Sequence, residues 1–304
     1  MKVVVLSGGG GGARFARGLR DVLEPGSLTA IGNVGDDLEI LGLHVSPDLD
    51  GLLYALAGLL DETRRWGRAD ETWNALAAVA EWGGDDWFRL GDRDLGLHLV
   101  RTEALRAGRS LSDVTAAFVE RAGLTARILP ATDDRLRTRV VTEAGRLGFQ
   151  DWYVRRGHAD EVLAVEVEGA EAARPAPGVL EALVAADAIL LGPSNPYLSI
   201  GPILAVAEIR RALERRRVRC VAVSPLAGGA AVSGPLARML SRMAGGTTPA
   251  HVADRYHGLI DALIIDESDA PATAEVQLIA TSTVMRGRDD ERRLAEVALE
   301  AACG

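Results

Sequence analysis

Cysteine is nearly missing from this 304-residue chain: there are two, Cys220 inside an apolar run and Cys303 in the last few residues. Two cysteines give no disulfide framework and no metal-binding spacing, so a reducing compartment fits and a cytoplasmic location is expected. Long apolar runs are also lacking. None reaches membrane-spanning length, and no charged start leads into an apolar export core, so a soluble, unexported protein without a membrane partner is expected. The chain has no strongly basic tract beyond Arg210-Arg211 and Arg215-Arg216-Arg217, which read as a solvated helix face. Its formal charge is −9. That balance argues against nucleic acid or an anionic bilayer as the main partner. Internal repeats are absent, and the one linker-like stretch, Ala172 to Gly178, is short, with Pro175 and Pro177 marking a loop. Against these absences stands an apolar fraction of 48%, ample for a large packed core in one α/β domain or two smaller ones.

The richest segment is the run Val3-Val4-Val5-Leu6-Ser7, followed by five consecutive glycines, Gly8, Gly9, Gly10, Gly11 and Gly12, and an amphipathic stretch from Ala13 to Leu23. It reads as strand, loop and helix. Glycine lets the backbone approach a ligand closely, and a helix N-terminus aims free N–H groups and a positive dipole end at an anion. A diphosphate-bearing metabolite is the ligand this predicts. Two further absences narrow it. No Lys-Ser or Lys-Thr follows the glycines, which excludes a Walker loop. The second strand, Leu28-Thr29-Ala30-Ile31, ends in Gly32-Asn33 rather than in the acidic residue that a nicotinamide site uses to hold ribose hydroxyls.

Asn33-Val34-Gly35-Asp36-Asp37 and Pro47-Asp48-Leu49-Asp50 place four carboxylates within a short span that begins just past the end of that strand. In a doubly wound sheet this end faces the ligand crevice, where carboxylates and phosphates repel unless a cation lies between them. Magnesium suits such a place, since it accepts one or two carboxylates and fills its shell with phosphate oxygens and water. Helix capping by Asp36 or Asp37, and a turn served by Asp48 and Asp50 after Pro47, are the plainer readings of each aspartate taken singly.

Along the chain, Glu71 to Trp82, Leu95 to Arg106 and Leu111 to Arg121 carry apolar residues at helical spacing, and Ser110-x-x-Asp113 has the pattern of a capping box. Short strands are predicted at Thr138 to Thr142, Gly148 to Val154 and Leu163 to Val167. Alternation of strand and helix resumes with Ala188 to Leu191, Val218 to Val223 and Ala262 to Ile265. The pattern predicts a doubly wound, mostly parallel, Rossmann-like α/β sheet forming a single domain over 1–304, with a mainly helical insertion at about 51–135 and a few extra short strands. Two later strands run into Gly192-Pro193-Ser194-Asn195-Pro196 and Ser224-Pro225-Leu226-Ala227-Gly228-Gly229, which would overhang the same crevice. Ser194 and Asn195 are candidates to donate to phosphate or to a base edge.

Taken in order, Gly8 to Phe15, Asn33 to Asp37, Pro47 to Asp50, Leu90-Gly91-Asp92-Arg93-Asp94, Leu129-Pro130-Ala131-Thr132-Asp133-Asp134, Phe149-Gln150-Asp151-Trp152, Gly192 to Pro196 and Ser224-Pro225-Leu226 resemble the CofD/FbiA family. These are the 2-phospho-L-lactate transferases of deazaflavin coenzyme F-420 biosynthesis, and the match runs to about Glu267. The resemblance implies transfer of a phospho-lactyl or phosphoenolpyruvyl group from a guanosine diphospho donor to 7,8-didemethyl-8-hydroxy-5-deazariboflavin, with release of GMP. Magnesium (Mg2+) is the implied metal and a homodimer the implied assembly. Asp36 and Asp48 match the metal-holding, catalytic aspartates. Asp50 matches a position near the acceptor, and Arg89 falls where the family places a basic residue near the deazaflavin. On the donor side stand the five glycines, Asn33, Ser194 and Asn195, with Arg14 in the first helical turn as a further phosphate contact. Of the four tryptophans in the insertion, Trp66, Trp73, Trp82 and Trp87, at most one is expected to touch ligand and most to pack a small helical core. His44 and His98 read as structural or surface residues. Two readings from other classes remain beside this one: a CofD-like regulatory protein that binds nucleotide sugars without transfer chemistry, and a nicotinamide-dependent oxidoreductase.

Overall fold

The structure, a computed structural model, describes all 304 residues. Its centre is a seven-stranded, wholly parallel sheet in the spatial order Gln277–Thr281, Ala262–Asp266, Cys220–Val223, Ala188–Leu191, β1 (Val3–Ser7), β2 (Leu28–Gly32) and Arg127–Pro130. Four of these strands, β1, Ala188–Leu191, Cys220–Val223 and Ala262–Asp266, are buried along their whole length. Covered on both faces, they read as near-continuous Val, Ile, Leu and Ala runs, with only Cys220 and the terminal Ser7 and Asp266 departing, where a half-exposed strand would alternate. β1 pairs with β2 on one side and with Ala188–Leu191 on the other, so the chain winds outward to the Arg127–Pro130 edge and then returns across β1. The crevice that opens at such a reversal, past the C-terminal strand ends, is where doubly wound folds bind ligands.

The helix α1 (Gly9–Val22) leaves β1 through the glycines and packs against α2 (Pro47–Ala57) and against the C-terminal helix Arg288–Cys303. The insertion between β2 and the sheet edge opens with a hairpin, Leu38–Ile40 against Leu43–Val45. The turn at Asp36-Asp37 therefore leads into a strand, not into a helix that either could cap. Four helices follow: α2, Asn74–Glu81, Asp92–Arg106 and Leu111–Arg121. Two of them cap each other. Asp92 accepts from the Asn74 and Ala75 N–H groups at 3.1 and 3.0 Å, while Glu71 accepts from the Arg93 and Asp94 N–H groups, each at 2.9 Å. Ser110 Oγ accepts from the Asp113 N–H at 3.1 Å, as the capping pattern predicts. The helical part ends at Arg121; Arg127–Pro130, inside the range assigned to the insertion from sequence, is the edge strand of the main sheet.

A three-stranded antiparallel sheet, Gly145–Gly148, Arg137–Thr142 and Ala164–Glu168, lies apart from the main one. The strand expected over 148–154 stops at Gly148, and Asp151–Arg155 forms a π-helical turn. The turn buries Trp152 completely and stacks Phe149 on Tyr153, ring centroids 5.2 Å apart. Residues four apart meet on one face of a helix but stand far apart along a strand, so the packing of this aromatic cluster selects the helical form. No helix is long and apolar enough to cross a membrane.

Candidate functional site

One cleft of about 840 Å³ runs across the strand ends and into the insertion. It is lined by Gly8 to Gly11, Arg14, Asp36, Asp48, Asp50, Arg89, Ser194 and Asn195, so nearly all the sequence-nominated residues meet there. Asn33 and Gly12 do not line it. Both are buried beneath its floor, where they hold the residues that do.

The floor is built by hydrogen bonds that cross long stretches of chain. Ser194 Oγ donates to the Gly8 carbonyl at 2.8 Å and accepts from the Gly8 N–H at 3.3 Å, tying the glycine loop to the loop after the neighbouring strand. Gly12 packs so tightly against Ser194 and Ser7 that a Cβ there would fall on both hydroxyls. Positive φ is needed at Gly9 (+67°), the first helical residue, and not at Gly10. What constrains Gly10 is the Arg65 carbonyl, 3.2 Å from where its Cβ would be.

Asp48, in the first turn of α2, accepts from the Gly9 N–H at 2.8 Å and from Asn33 Nδ2 at 2.9 Å. Asn33 Oδ1 in turn accepts from the Gly35 N–H at 2.8 Å, which shapes the turn carrying Asp36. Gln150 Nε2, from the segment leading into the π-helical turn, donates to the Asp36 carbonyl at 3.1 Å. Asp36 Oδ1 is buried and finds no partner. Burial, with the neighbouring Asp48 and Asp37 charges, raises the Asp36 carboxyl well above its ordinary range. Burial lifts Asp48 to about 6, aided by Asp37 and Asp50 and opposed by the Gly9 and Asn33 donors.

Asp37 belongs elsewhere: its Oδ2 accepts from Ser46 Oγ at 2.9 Å and pairs with His44 Nε2 at 3.1 Å. The site thus presents two adjacent carboxylates with an unsatisfied buried oxygen, opposite a run of backbone amides. No group of three or more His, Cys, Asp or Glu side chains forms an all-protein metal cage. Two carboxylates with room for phosphate and water fit magnesium, which rarely takes a full protein shell.

Asp50 lies two residues past Asp48 on α2, and Arg101 grips both of its oxygens, with Nη1 at 3.0 Å from Oδ2 and Nη2 on Oδ1. Beside this pair Tyr54 donates to Asp94, whose carboxyl is pushed by burial to about 6. Arg14 is neither solvent-facing nor free: it is buried, and its Nε donates to Glu291 Oε1 at 2.8 Å. Arg17 donates to the same carboxylate through Nε and Nη2, each at 2.8 Å. Asn195 spends its carbonyl oxygen locally, accepting from the Tyr197 and Leu198 N–H groups at 2.9 and 3.1 Å. Its amide lies 3.7 Å from Met239 Sδ. Arg89 is exposed at the cleft wall, its guanidinium 5.3 Å from the Trp73 ring centre.

None of the insertion's tryptophans is fully buried, and only Trp87 packs on a small apolar cluster, that of Ile40, Val45 and Leu90. Trp82 is 91% exposed and Trp66 46%, while Trp66 and Trp87 both line the cleft. Asn74–Glu81 buries only Leu76, too little apolar surface to enclose large rings. Sequence reasoning missed Arg64, Arg65, Tyr153 and His98 as cleft residues. A signal existed for three of them: Arg64-Arg65-Trp66 puts cations beside an aromatic, and Tyr153 follows the Phe149 to Trp152 motif directly. Arg64 lies over both the Trp66 and Trp73 rings, at 5.5 and 4.9 Å from their centres.

This arrangement can hold an extended anionic ligand, since one cleft combines backbone amides, a carboxylate pair, and aromatic walls with Arg64 and Arg89 beside them. The family described as 2-phospho-L-lactate transferase CofD matches residues 3–302. The phosphoenolpyruvate transferase of Streptomyces coelicolor is 44% identical over 313 residues, covering 99% of this chain and 98% of that protein. That of Kitasatospora aureofaciens is 45% identical over 310 residues, covering 99% and 97%. Among solved structures, protein BH3568 of Bacillus halodurans superposes with a TM-score of 0.65 over 98% of this chain and 99% of that one, at 18% identity, a likeness of fold alone. With a match across almost its whole length and relatives above 40% identity, the chain belongs to the CofD family.

Proposed function

We propose that this CofD-type transferase moves a phosphoenolpyruvyl or phospho-lactyl group from a guanosine diphospho donor to the deazaflavin 7,8-didemethyl-8-hydroxy-5-deazariboflavin, releasing GMP, in coenzyme F-420 biosynthesis. The observation that carries the reading is the single cleft that joins the glycine-loop amides, the Asp36–Asp48 pair and an aromatic-lined chamber inside the insertion. The names of the relatives favour the enolpyruvyl donor.

In this reading the donor diphosphate lies on the amides of Gly10 and Gly11, the Gly8 and Gly9 N–H groups being held by Ser194 and Asp48, with the nucleoside toward Ser224, Thr283 and Met285. A hydroxyl oxygen of the acceptor attacks the phosphorus that bears the three-carbon acid. The new P–O bond forms as the bond from that phosphorus to the bridging oxygen breaks, GMP leaves with the electron pair, and the hydroxyl proton is released. Such transfer needs alignment and neutralised charge more than a strong base. Asp36 and Asp48 would hold magnesium, which supplies positive charge to the diphosphate and the departing GMP oxygen. The Gly9 N–H and Asn33 fix Asp48 in place, and Trp66, Trp87 and Phe88 shield the acceptor from water.

Isothermal titration of the purified protein with magnesium present, against GDP, UDP-sugars and NAD, tests the donor side. Selective binding of the guanine nucleotide is expected. Preference for a UDP-sugar, without product on adding deazaflavin, would support the regulatory reading instead.

A further inference from the structure

His98 sits on the helix Asp92–Arg106, one turn before Arg101, and its ring lines the insertion half of the cleft although only 2% of the residue is exposed. The sequence reading gave it no chemistry. Its surroundings do, because Arg101 Nη1, besides bonding Asp50, lies 3.3 Å from His98 Nδ1. A guanidinium carries only donors and stays charged, so Nδ1 must be the accepting nitrogen; a proton there would set two donors face to face. Asp50 offers that nitrogen no alternative, since its nearer oxygen is 3.8 Å away and already bonded to Arg101. The single proton of the neutral ring therefore sits on Nε2, which no protein group accepts. Burial keeps the ring neutral, lowering it to about 4, with Arg101 and His44 adding to the effect and Asp50 opposing it.

We infer that His98 is a specificity-determining residue whose Nε2–H, locked in that tautomer by the Asp50–Arg101 pair, donates to an oxygen of the acceptor in the insertion half of the cleft. The inference rests on the acceptor reading above. It gives Asp50 a definite part as well: with both oxygens held by Arg101, Asp50 acts on the acceptor through Arg101 and His98. A fixed neutral donor selects a ligand that presents a carbonyl or hydroxyl oxygen at that point and disfavours one that presents an N–H there.

Two measurements test it. In 15N-histidine-labelled protein, long-range 1H–15N correlation at pH 7 should show His98 as the Nε2–H tautomer. An Nδ1–H tautomer or an imidazolium would overturn the inference without reference to any ligand. Fluorescence titration with deazaflavin should then show His98→Leu weakened about tenfold or more, and His98→Gln, whose amide reaches the Nε2 position, within about threefold of the parent. A His98→Leu protein of unchanged melting temperature that binds deazaflavin as tightly as the parent would refute the role. If the parent shows the Nε2–H tautomer yet does not bind deazaflavin, the acceptor reading itself has failed.

Discussion

At the residue scale, two carboxylates, Asp36 and Asp48, are costly to the metal-free fold. Burial raises the proton affinity of both, with Asp48 adding to the effect on Asp36 and with Asp37 and Asp50 adding to that on Asp48, while Asp36 keeps an unpaired buried oxygen. Asp36→Asn and Asp48→Asn should each leave the metal-free protein at least as heat-stable as the parent, yet lower turnover roughly a thousandfold, about 4 kcal/mol of transition-state stabilisation. Calorimetric melting and steady-state rates at saturating magnesium check both halves. The pH dependence follows from Asp48, whose folded value near 6 exceeds the ordinary carboxylate value. Between about pH 4 and 6 the folded state then holds more protons than the unfolded one, so metal-free stability falls as pH rises through that window. Magnesium needs the ionised pair, so it should raise the melting temperature at pH 7.5 and have almost no effect at pH 5; an equal shift at both would rule out a carboxylate site. The aspartates were legible because four fall within a few residues past a strand. The Arg101 partner of Asp50 was not, since it lies 51 positions away and its pairing depends on how two helices pack.

Among the elements, the glycine loop and the C-terminal helix carry the sharpest consequences. Gly10→Val should weaken guanosine diphospho binding far more than deazaflavin binding, because its side chain would meet the Arg65 carbonyl and obstruct the amides. Separate titrations of the two ligands distinguish this from general damage, which would weaken both. Glu291, fully buried at the start of Arg288–Cys303, binds Arg14 and Arg17 at once. Glu291→Ala should cost about 3–5 kcal/mol in urea unfolding, since Arg14 loses its buried carboxylate and Arg17 is left with Glu62 alone. The buried parallel strands could be read from sequence because continuous β-branched runs have few other uses. Arg288–Cys303 could not: it begins Arg-Asp-Asp-Glu-Arg-Arg, and nothing in so charged a run reveals that one of its acids is a buried anchor. The π-helical turn at Asp151–Arg155 escaped for a related reason, its form being chosen by aromatic packing and by the Gln150 bond to Asp36.

For the whole molecule, the sheet reversal beside β1 brings the amides and the strand-end loops into one cleft with Asp36 and Asp48, and the insertion adds aromatic walls to the same cleft. One cleft joining amides, a carboxylate pair and aromatic walls has room to align two substrates, as an in-line transfer requires. Arg89, exposed on the chamber wall beside Trp73, should report on one half alone: Arg89→Ala is expected to raise the acceptor KM with donor affinity nearly unchanged. Loss of guanine nucleotide binding in that variant would mean the halves are assigned the wrong way round. The transfer itself is tested most directly by mass spectrometry of the product formed from deazaflavin and each guanosine diphospho donor, with magnesium and after its chelation. The expected result is deazaflavin carrying one phospho-three-carbon-acid group, formed with an equal amount of GMP, and abolished by chelation. Unchanged deazaflavin with both donors, from protein that binds donor and acceptor, would contradict it.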